Sequence, residues 1–349
     1  MVLSSSPSPI RIEKIPSFHD APIIDISCKK RSLVSELVVK ASEKYGFFTV
    51  INHGIPNDVV DGMEREGFNF FAKPTLEKTR LAGGPSPLGY GMKNIGFNGD
   101  MGEVEYLLLP SNPHSITQFI SKDPTSFNSC IVNDYTQGVR NLACEILELM
   151  AEGLHVNNKY ALSNLIRDID SDSLIRLNHY PPYKDTSSLD TRIGFGQHSD
   201  PQILTILRSN HVGGLQILLE DGLWVPVTPH PMAFCVLVGD TLQVLTNGRF
   251  KSVIHRALAD PNKARMSVMY FGAPPLHAVI APIADMVSSP NLSLYRPFTW
   301  GEYKKTTYSL RLGECRLDLF NVQIEDDGTV PHYMEETTHT IHQLNPHKV

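Results

Sequence analysis

The stretch "RIGFGQHSDPQILTILRSN", residues 192–210, sets an imidazole and a carboxylate two residues apart, His198 and Asp200, at the head of an apolar run (Ile203, Leu204, Ile206, Leu207). Alternate residues of a strand point to one face. The two groups are therefore expected to reach one point from one strand end. Either they form a polar corner with its own hydrogen bonds, or they hold something that is not protein. A metal ion commonly takes a neutral imidazole together with a carboxylate, but two protein groups make an incomplete site. The best candidate for a third ligand is His255 in "GRFKSVIHRALAD", near the end of a predicted strand that runs into a turn. Two histidines and one carboxylate on one face of an octahedron leave three positions open, the pattern of non-haem iron(II) oxygenases. Zinc would more often take four tight ligands, or three and a water for hydrolysis.

Outward from this stretch, residues 173 to 283 break into short β-branched and apolar runs: "LIRLNHY", "ILTILRS", "GLQILLE", "LWVPVT", "AFCVLVG", "LQVLT", "KSVIHRAL", "ARMSVMYFG" and "HAVIAPI". The Asp-Gly of "LEDGLW" and the Asn-Gly of "LTNGRF" are hairpin signals, because both pairs accept the positive φ of a tight turn. So many short strands predict a sandwich or a barrel, and a jelly roll flanked by helices is the first choice. Upstream, helices are predicted over 31–46 and Asn57–Ala72 on either side of a strand, "FFTVINHG", and from Asp123 to about Leu154. Residues 80–105 are Gly-rich with little periodicity and read as a long functional loop. A last helix starts at "TWGEYKKTTYSLR", where Thr299 and Glu302 have the spacing of a capping box. The expected organisation is a flexible tail (1–20), a mainly helical region packing on the core (21–170), a mainly β jelly-roll core with a C-terminal helix (171–320), and a polar, disordered tail (321–349).

Composition bounds the partners. Of 349 residues, 41% are apolar and 19% charged, as in ordinary globular proteins. A net charge of −6 with no basic cluster excludes a nucleic-acid footprint. No apolar run approaches the roughly 20 residues that span a bilayer, and "MVLSSSPSPIRIEKIP" lacks the apolar core of a signal peptide. The five scattered cysteines contain no CxxC pair and read as reduced thiols. A cytoplasmic protein with a small-molecule substrate is expected; the oligomeric state stays open.

Arg265 and Ser267, in "KARMSVMYF", share a face of the strand after His255. An arginine pointing into a barrel lined by Val, Met and Phe is costly unless an anion pairs with it. Its planar fork suits a carboxylate. The fitting anion is the distal carboxylate of 2-oxoglutarate, with the Ser267 hydroxyl adding a hydrogen bond. The 2-oxo acid end would chelate the metal through two open positions, leaving the last for O2. Asn178 and Tyr180 in "RLNHYPP" again share a face, while His179 points away. Tyr180 is either a donor to the same carboxylate or a strand-end tyrosine before Pro181 and Pro182.

These motifs resemble the plant 2-oxoglutarate- and Fe(II)-dependent dioxygenases, through "GFGQHSDPQILTILRSN", "VGDTLQVLTNGRFKSVIHRAL", "RMSVMYFGAPP" and "KYGFFTVINHGIP". Within them the chain is similar to gibberellin 2-oxidases of the nineteen-carbon class, through "GYGMKNIGFNGDMGEVEYLLL", "LNHYPP" and "FTWGEYKKTTYSLRLGECRLDLF". The similarity covers about residues 20 to 320. It implies a double-stranded β-helix (the jelly roll, cupin-like), with His198, Asp200 and His255 on iron and Arg265, Ser267, Tyr180 and nearby Asn178 around 2-oxoglutarate. Ascorbate would serve as reductant. The implied reaction decarboxylates 2-oxoglutarate to succinate and 2-beta-hydroxylates the gibberellin, inactivating the hormone. Such a substrate is a rigid apolar skeleton with one carboxylate, so its pocket should be apolar with one cationic or phenolic anchor. The 80–105 segment and the final helix offer Tyr90, Lys93, Tyr106 and Tyr303, each also readable as a solvated lysine or a packed tyrosine. Two positions depart from the pattern: Asn94 where relatives tend to carry a basic residue, and Glu103 where they tend to carry Trp. The same iron chemistry on another plant metabolite, and a jelly-roll binding protein without catalysis, remain as alternatives. The second would have no use for an inward Arg265 and Ser267.

Overall fold

The computed structural model describes residues 22–81, 88–94, 101–112, 115–116, 128–183, 193–287, 293–313 and 315–322. The expected tail 1–20, and 321–349 beyond Val322, lie outside them. The helices are α1 (Arg31–Lys44), α2 (Asn57–Phe71), α3 (Thr75–Lys78), α4 (Ser129–Gly153), α5 (Asn164–Arg167), α6 (Asp240–Leu245) and α7 (Trp300–Ser309). The strands are β1 (Ile23–Asp25), β2 (Phe47–Ile51), β3 (Gly89–Asn94), β4 (Met101–Pro110), β5 (Leu174–Tyr180), β6 (Ile193–His198) and β7 (Leu204–Ser209). They continue with β8 (Leu215–Leu218), β9 (Trp224–Pro226), β10 (Ala233–Val238), β11 (His255–Leu258), β12 (Arg265–Gly272), β13 (Val279–Ile280) and β14 (Phe298–Thr299).

An eight-stranded sheet, β1-β2-β10-β7-β12-β5-β4-β3, faces a four-stranded sheet, β6-β11-β8-β9, and the two enclose the jelly-roll interior. Strand β12 shows why both faces of the large sheet are covered. Met266, Val268 and Tyr270 pack into the main core with Val139, Leu142 and Ile146 of α4. The alternate residues Arg265, Ser267, Met269 and Phe271 face the space between the sheets. One end of that space is closed by Leu207, Leu237 and Met269 of the large sheet against Leu215, Ile217 and Val225 of the small one. Among the described residues, no helix is long and apolar enough to cross a membrane.

Several local expectations are corrected. Residues 80–105, expected as a loop, supply β3 and the first half of β4, a hairpin that extends the large sheet by pairing β4 antiparallel with β5. The glycines concealed the alternation that would have shown it. "LQVLT", expected as a strand, lies mostly in helix α6. Its Asn247-Gly248 pair (φ 50° and 77°) ends that helix rather than a hairpin. The Asp-Gly signal does make a hairpin, between β8 and β9, with Gly222 at φ 83°. The region 21–170 is not only helical cover: β1 and β2 form one edge of the large sheet, and β3 and β4 the other. At α7 the Thr299 hydroxyl accepts from the Glu302 amide at 3.1 Å, so the cap forms, while the Glu302 carboxylate accepts from Arg296 instead of closing the box.

Candidate active site

His198 ends β6 and His255 begins β11, and the two are register partners across the small sheet, with ring centroids 4.2 Å apart. Asp200 lies in the turn after β6, not on a strand, so the expected single strand face is not what aims it. Its backbone carbonyl accepts from the Asp240 amide at 2.8 Å, which fixes the turn against the start of α6. The turn still brings the three together. His198 Nε2 lies 3.6 Å from Asp200 Oδ1 and His255 Nε2 3.7 Å from Asp200 Oδ2. One donor atom from each residue lies within 4.8 Å of the others.

The hydrogen bonds set the protonation. His198 Nδ1 donates to the Gly196 carbonyl at 2.7 Å, and His255 Nδ1 to the Val253 carbonyl at 3.1 Å. A carbonyl only accepts, so each Nδ1 carries the hydrogen and each Nε2 keeps a lone pair. Burial, and then the neighbouring His255, hold the His198 imidazole well below its usual pKa and therefore neutral. Two neutral imidazole nitrogens and a carboxylate converging on one point fit a ferrous ion. The Thr205 hydroxyl donates to Asp200 Oδ2 at 2.5 Å and orients the carboxylate. Removing such an outer partner typically weakens metal binding about 10- to 100-fold. Thr205→Val is expected to show that loss in a cobalt(II) titration by calorimetry; unchanged affinity would make Thr205 a bystander.

The triad opens onto a cavity of about 170 Å³ lined by β5, β7 and β12 on one side and β6, β8 and β11 on the other. Arg265 pairs in register with Tyr180, and Ser267 with Asn178 and Ser209. The Arg265 guanidinium is 1% exposed, donates to Ser209 Oγ at 2.9 Å and Ser267 Oγ at 3.4 Å, and lies 4.9 Å from the Tyr180 ring centre. Its Nε has no partner, and among the described residues no carboxylate pairs with it. Burial pushes its pKa down, so the chain leaves this charge uncompensated. That buried guanidinium, bonded only to neutral hydroxyls and with Nε free, is the observation that fits a dicarboxylate cosubstrate. Tyr180 Oη accepts from Asn178 Nδ2 at 3.0 Å, which leaves the phenolic hydrogen to be donated into the cavity. Gly194 packs against the Tyr180 ring, and a Cβ there would clash with Tyr180 Cδ1. Gly194→Ala is expected to cost about 1–3 kcal/mol of stability and to raise the 2-oxoglutarate KM by displacing Tyr180. Both are read from a thermal melt and a cosubstrate titration.

The three tyrosines expected to touch substrate do not line the cavity. Tyr90 is buried with its hydroxyl on Glu105 Oε2 at 2.8 Å, and Tyr303 is fully buried with its hydroxyl on Asp240 Oδ2 at 2.7 Å. Neither lines the cavity, and nor does Tyr106, whose ring supports the Arg176 guanidinium at 4.3 Å. The side chains of Lys93, Asn94 and Glu103 are outside the described ones. Helix α7 does reach the cavity, but through Trp300, Lys304, Thr307 and Tyr308, followed by Leu310, Leu312 and Arg316. Lys304 and Tyr308 stand at i, i+4, a spacing that would have found that face. Arg176 is two residues before Asn178 on the same face of β5, and the same alternation marks it. Lys304 is spent on Asp172, at 2.7 and 2.9 Å, which also accepts from Trp300 Nε1 at 2.8 Å.

A family model described as the 2OG-Fe(II) oxygenase superfamily matches residues 171–274, and one described as the non-haem dioxygenase in morphine synthesis N-terminal matches 21–115. Fold and cofactors are those of a 2-oxoglutarate- and iron(II)-dependent oxygenase. The chain is 53% identical over 312 residues to gibberellin 2-beta-dioxygenase 4 of Arabidopsis thaliana, covering 86% of this chain and 95% of that protein. It is 48% identical to gibberellin 2-beta-dioxygenase 1 of Pisum sativum, covering 85% and 89%. Among solved structures it resembles JOX2 in complex with 2OG, Fe and JA (TM-score 0.77, 27% identity, 87% of this chain and 89% of that one). The dioxygenase for auxin oxidation from rice has the same fold (TM-score 0.73, 24% identity, 86% and 99%). The chain belongs to the gibberellin 2-beta-dioxygenase family of 2-oxoglutarate- and iron(II)-dependent oxygenases.

Proposed function

We propose that this enzyme 2-beta-hydroxylates nineteen-carbon gibberellins and so inactivates the hormone, using O2 and 2-oxoglutarate, with ascorbate as reductant. The observation that carries the reading is the 53% identity spanning 95% of a relative so named. His198 Nε2, His255 Nε2 and an Asp200 carboxylate oxygen would hold the iron. Arg265, with Ser267 and the Tyr180 hydroxyl, would clasp the distal carboxylate of 2-oxoglutarate, and Asn178 would keep Tyr180 in place. When bound, iron and 2-oxoglutarate supply the oxidation: one oxygen atom goes to succinate as CO2 leaves, the other to the substrate carbon.

The side chains do the positioning. Arg265 anchors one end of the cosubstrate so that its 2-oxo acid end is presented to the triad. The Nδ1–H bonds to backbone carbonyls hold both imidazoles in the ligating tautomer throughout. Leu174, Leu207, Met269 and Phe271 line the cavity with apolar surface that limits water around the reacting carbon. Residues 171–320 would carry the reaction centre, and 21–170 would complete the sheet around it.

Incubation with iron(II), 2-oxoglutarate, ascorbate and a panel of nineteen-carbon gibberellins is expected to yield a product heavier by one oxygen, hydroxylated at C2. Succinate release that no gibberellin stimulates would count against the reading.

A further inference from the structure

Three arginines line the cavity, Arg176, Arg265 and Arg316, and among the described residues none pairs with a carboxylate. The cosubstrate accounts for Arg265. Arg176 lies opposite Met269 on β12, four residues along β5 from Tyr180, the register partner of Arg265. At about 3.3 Å per residue that is roughly 13 Å along the strand. A carboxylate held at Arg265 is out of its reach.

The Arg176 guanidinium is already arranged for a ligand. It lies 4.3 Å from the Tyr106 ring centre and 5.1 Å from that of Phe195. Its Nε donates to Asn178 Oδ1 at 2.8 Å, and its Nη2 has no partner. A guanidinium stays charged even where burial works against it. A charge fixed between two rings, felt by Asp200 only at a distance and with no carboxylate in hydrogen-bond contact among the described residues, calls for an anion. Of the other cations on the wall, Lys304 is paired with Asp172, and Arg316, whose Nε also lacks a partner, is held by its Nη1 on the Ser199 carbonyl at 3.3 Å, between His198 and Asp200.

We propose that Arg176 is the anchor for the substrate carboxylate, held on the Tyr106 ring and oriented by Asn178. The ligand it fits is a monocarboxylate on a bulky apolar body, since the surrounding wall is Leu174, Phe195, Leu310 and Leu312. This rests on the gibberellin reading and deepens it. Tyr106 then acts on the substrate through Arg176, as a positioning residue.

The test measures equilibrium binding of a nineteen-carbon gibberellin and its methyl ester to full-length protein loaded with cobalt(II) and 2-oxoglutarate under nitrogen. A hydrogen bond to a charged group gives the expected size. The wild type should bind the acid about 10- to 100-fold more tightly than the ester. Arg176→Gln should remove that preference by weakening the acid far more than the ester, whereas a change in 2-oxoglutarate affinity passed on through Asn178 and Tyr180 would fall on acid and ester alike. Arg176→Lys keeps the charge, guards against a folding failure, and should lose only part of the preference because a point charge cannot replace the fork. An acid preference that survives both variants, or that disappears in Arg316→Gln and not in Arg176→Gln, overturns the assignment. If wild type hydroxylates the gibberellin while the preference survives, the anchor alone fails. If wild type neither binds nor hydroxylates any gibberellin, the substrate reading fails and takes the anchor with it.

Discussion

His198→Ala and Asp200→Ala are expected to abolish hydroxylation while leaving a folded protein. Removing an outer partner of a ligand already costs about 10- to 100-fold, so loss of a ligand itself should exceed that and bring turnover below detection. The fold should survive because the triad does little for it without metal. The two Nε2 atoms and the carboxylate point at one another with no donor between the nitrogens and the oxygens. His198→Ala gives up ring contacts with Phe195 at 4.5 Å and His255 at 4.2 Å, a loss of about 1–3 kcal/mol. Asp200→Ala removes a carboxylate that is 4% exposed and costly to bury, and leaves the Thr205 hydroxyl to be satisfied otherwise. A metal that binds only the native state raises its melting temperature. Added cobalt(II) should therefore stabilise the wild type and leave both variants where they were. A His198→Ala protein that kept a tenth of wild-type turnover would remove His198 from the ligand set.

How much of this was legible in the sequence differs by element. The jelly roll followed from short alternating runs, and Arg265, Ser267, Asn178 and Tyr180 fell on cavity-facing positions because a strand's period of two survives any tertiary arrangement. His198 and Asp200 were paired for a reason the fold does not use. They converge through a turn pinned by the Asp240 amide, a contact between distant segments that no local pattern encodes. Asp240 itself starts α6, just ahead of a run, residues 242–246, that reads as strand by composition. Its buried carboxylate gathers hydroxyls from Ser199, Ser252 and Tyr303, and that tertiary bonding holds Tyr303 off the cavity wall. On α7 the error was one residue of helical register: Tyr303 faces the core and Lys304 the cavity, and only packing against Asp240 and Asp172 separates the two. Arg316 reaches the site from a 3-10 turn near the end of the described chain, where no periodic signal exists.

Arg265→Lys is expected to raise the 2-oxoglutarate KM by about 10- to 100-fold, with the gibberellin KM little changed, since a charge-assisted bidentate pair is replaced by a single point charge. The wild-type side chain spans Ser209 and Ser267 with two nitrogens while its face lies over Tyr180, and a lysine cannot make all three contacts. The effect should also acquire a pH dependence that the wild type lacks. Burial already pushes the Arg265 pKa down, but from so high a value that the charge persists at any working pH. A lysine at the same place meets the same desolvation from a lower starting point, so its pKa falls toward neutrality. Below that pKa the ammonium is present and part of the cosubstrate affinity is kept. As pH rises through it the charge is lost, so the variant's 2-oxoglutarate KM should climb as pH is raised from neutral into the alkaline range while the wild type's stays flat over the same range. Steady-state titrations of 2-oxoglutarate across that range check both parts. An unchanged KM at neutral pH would mean that another residue anchors the cosubstrate; a raised but pH-independent KM would mean that the lysine escapes to water and the fork's geometry accounts for the whole loss.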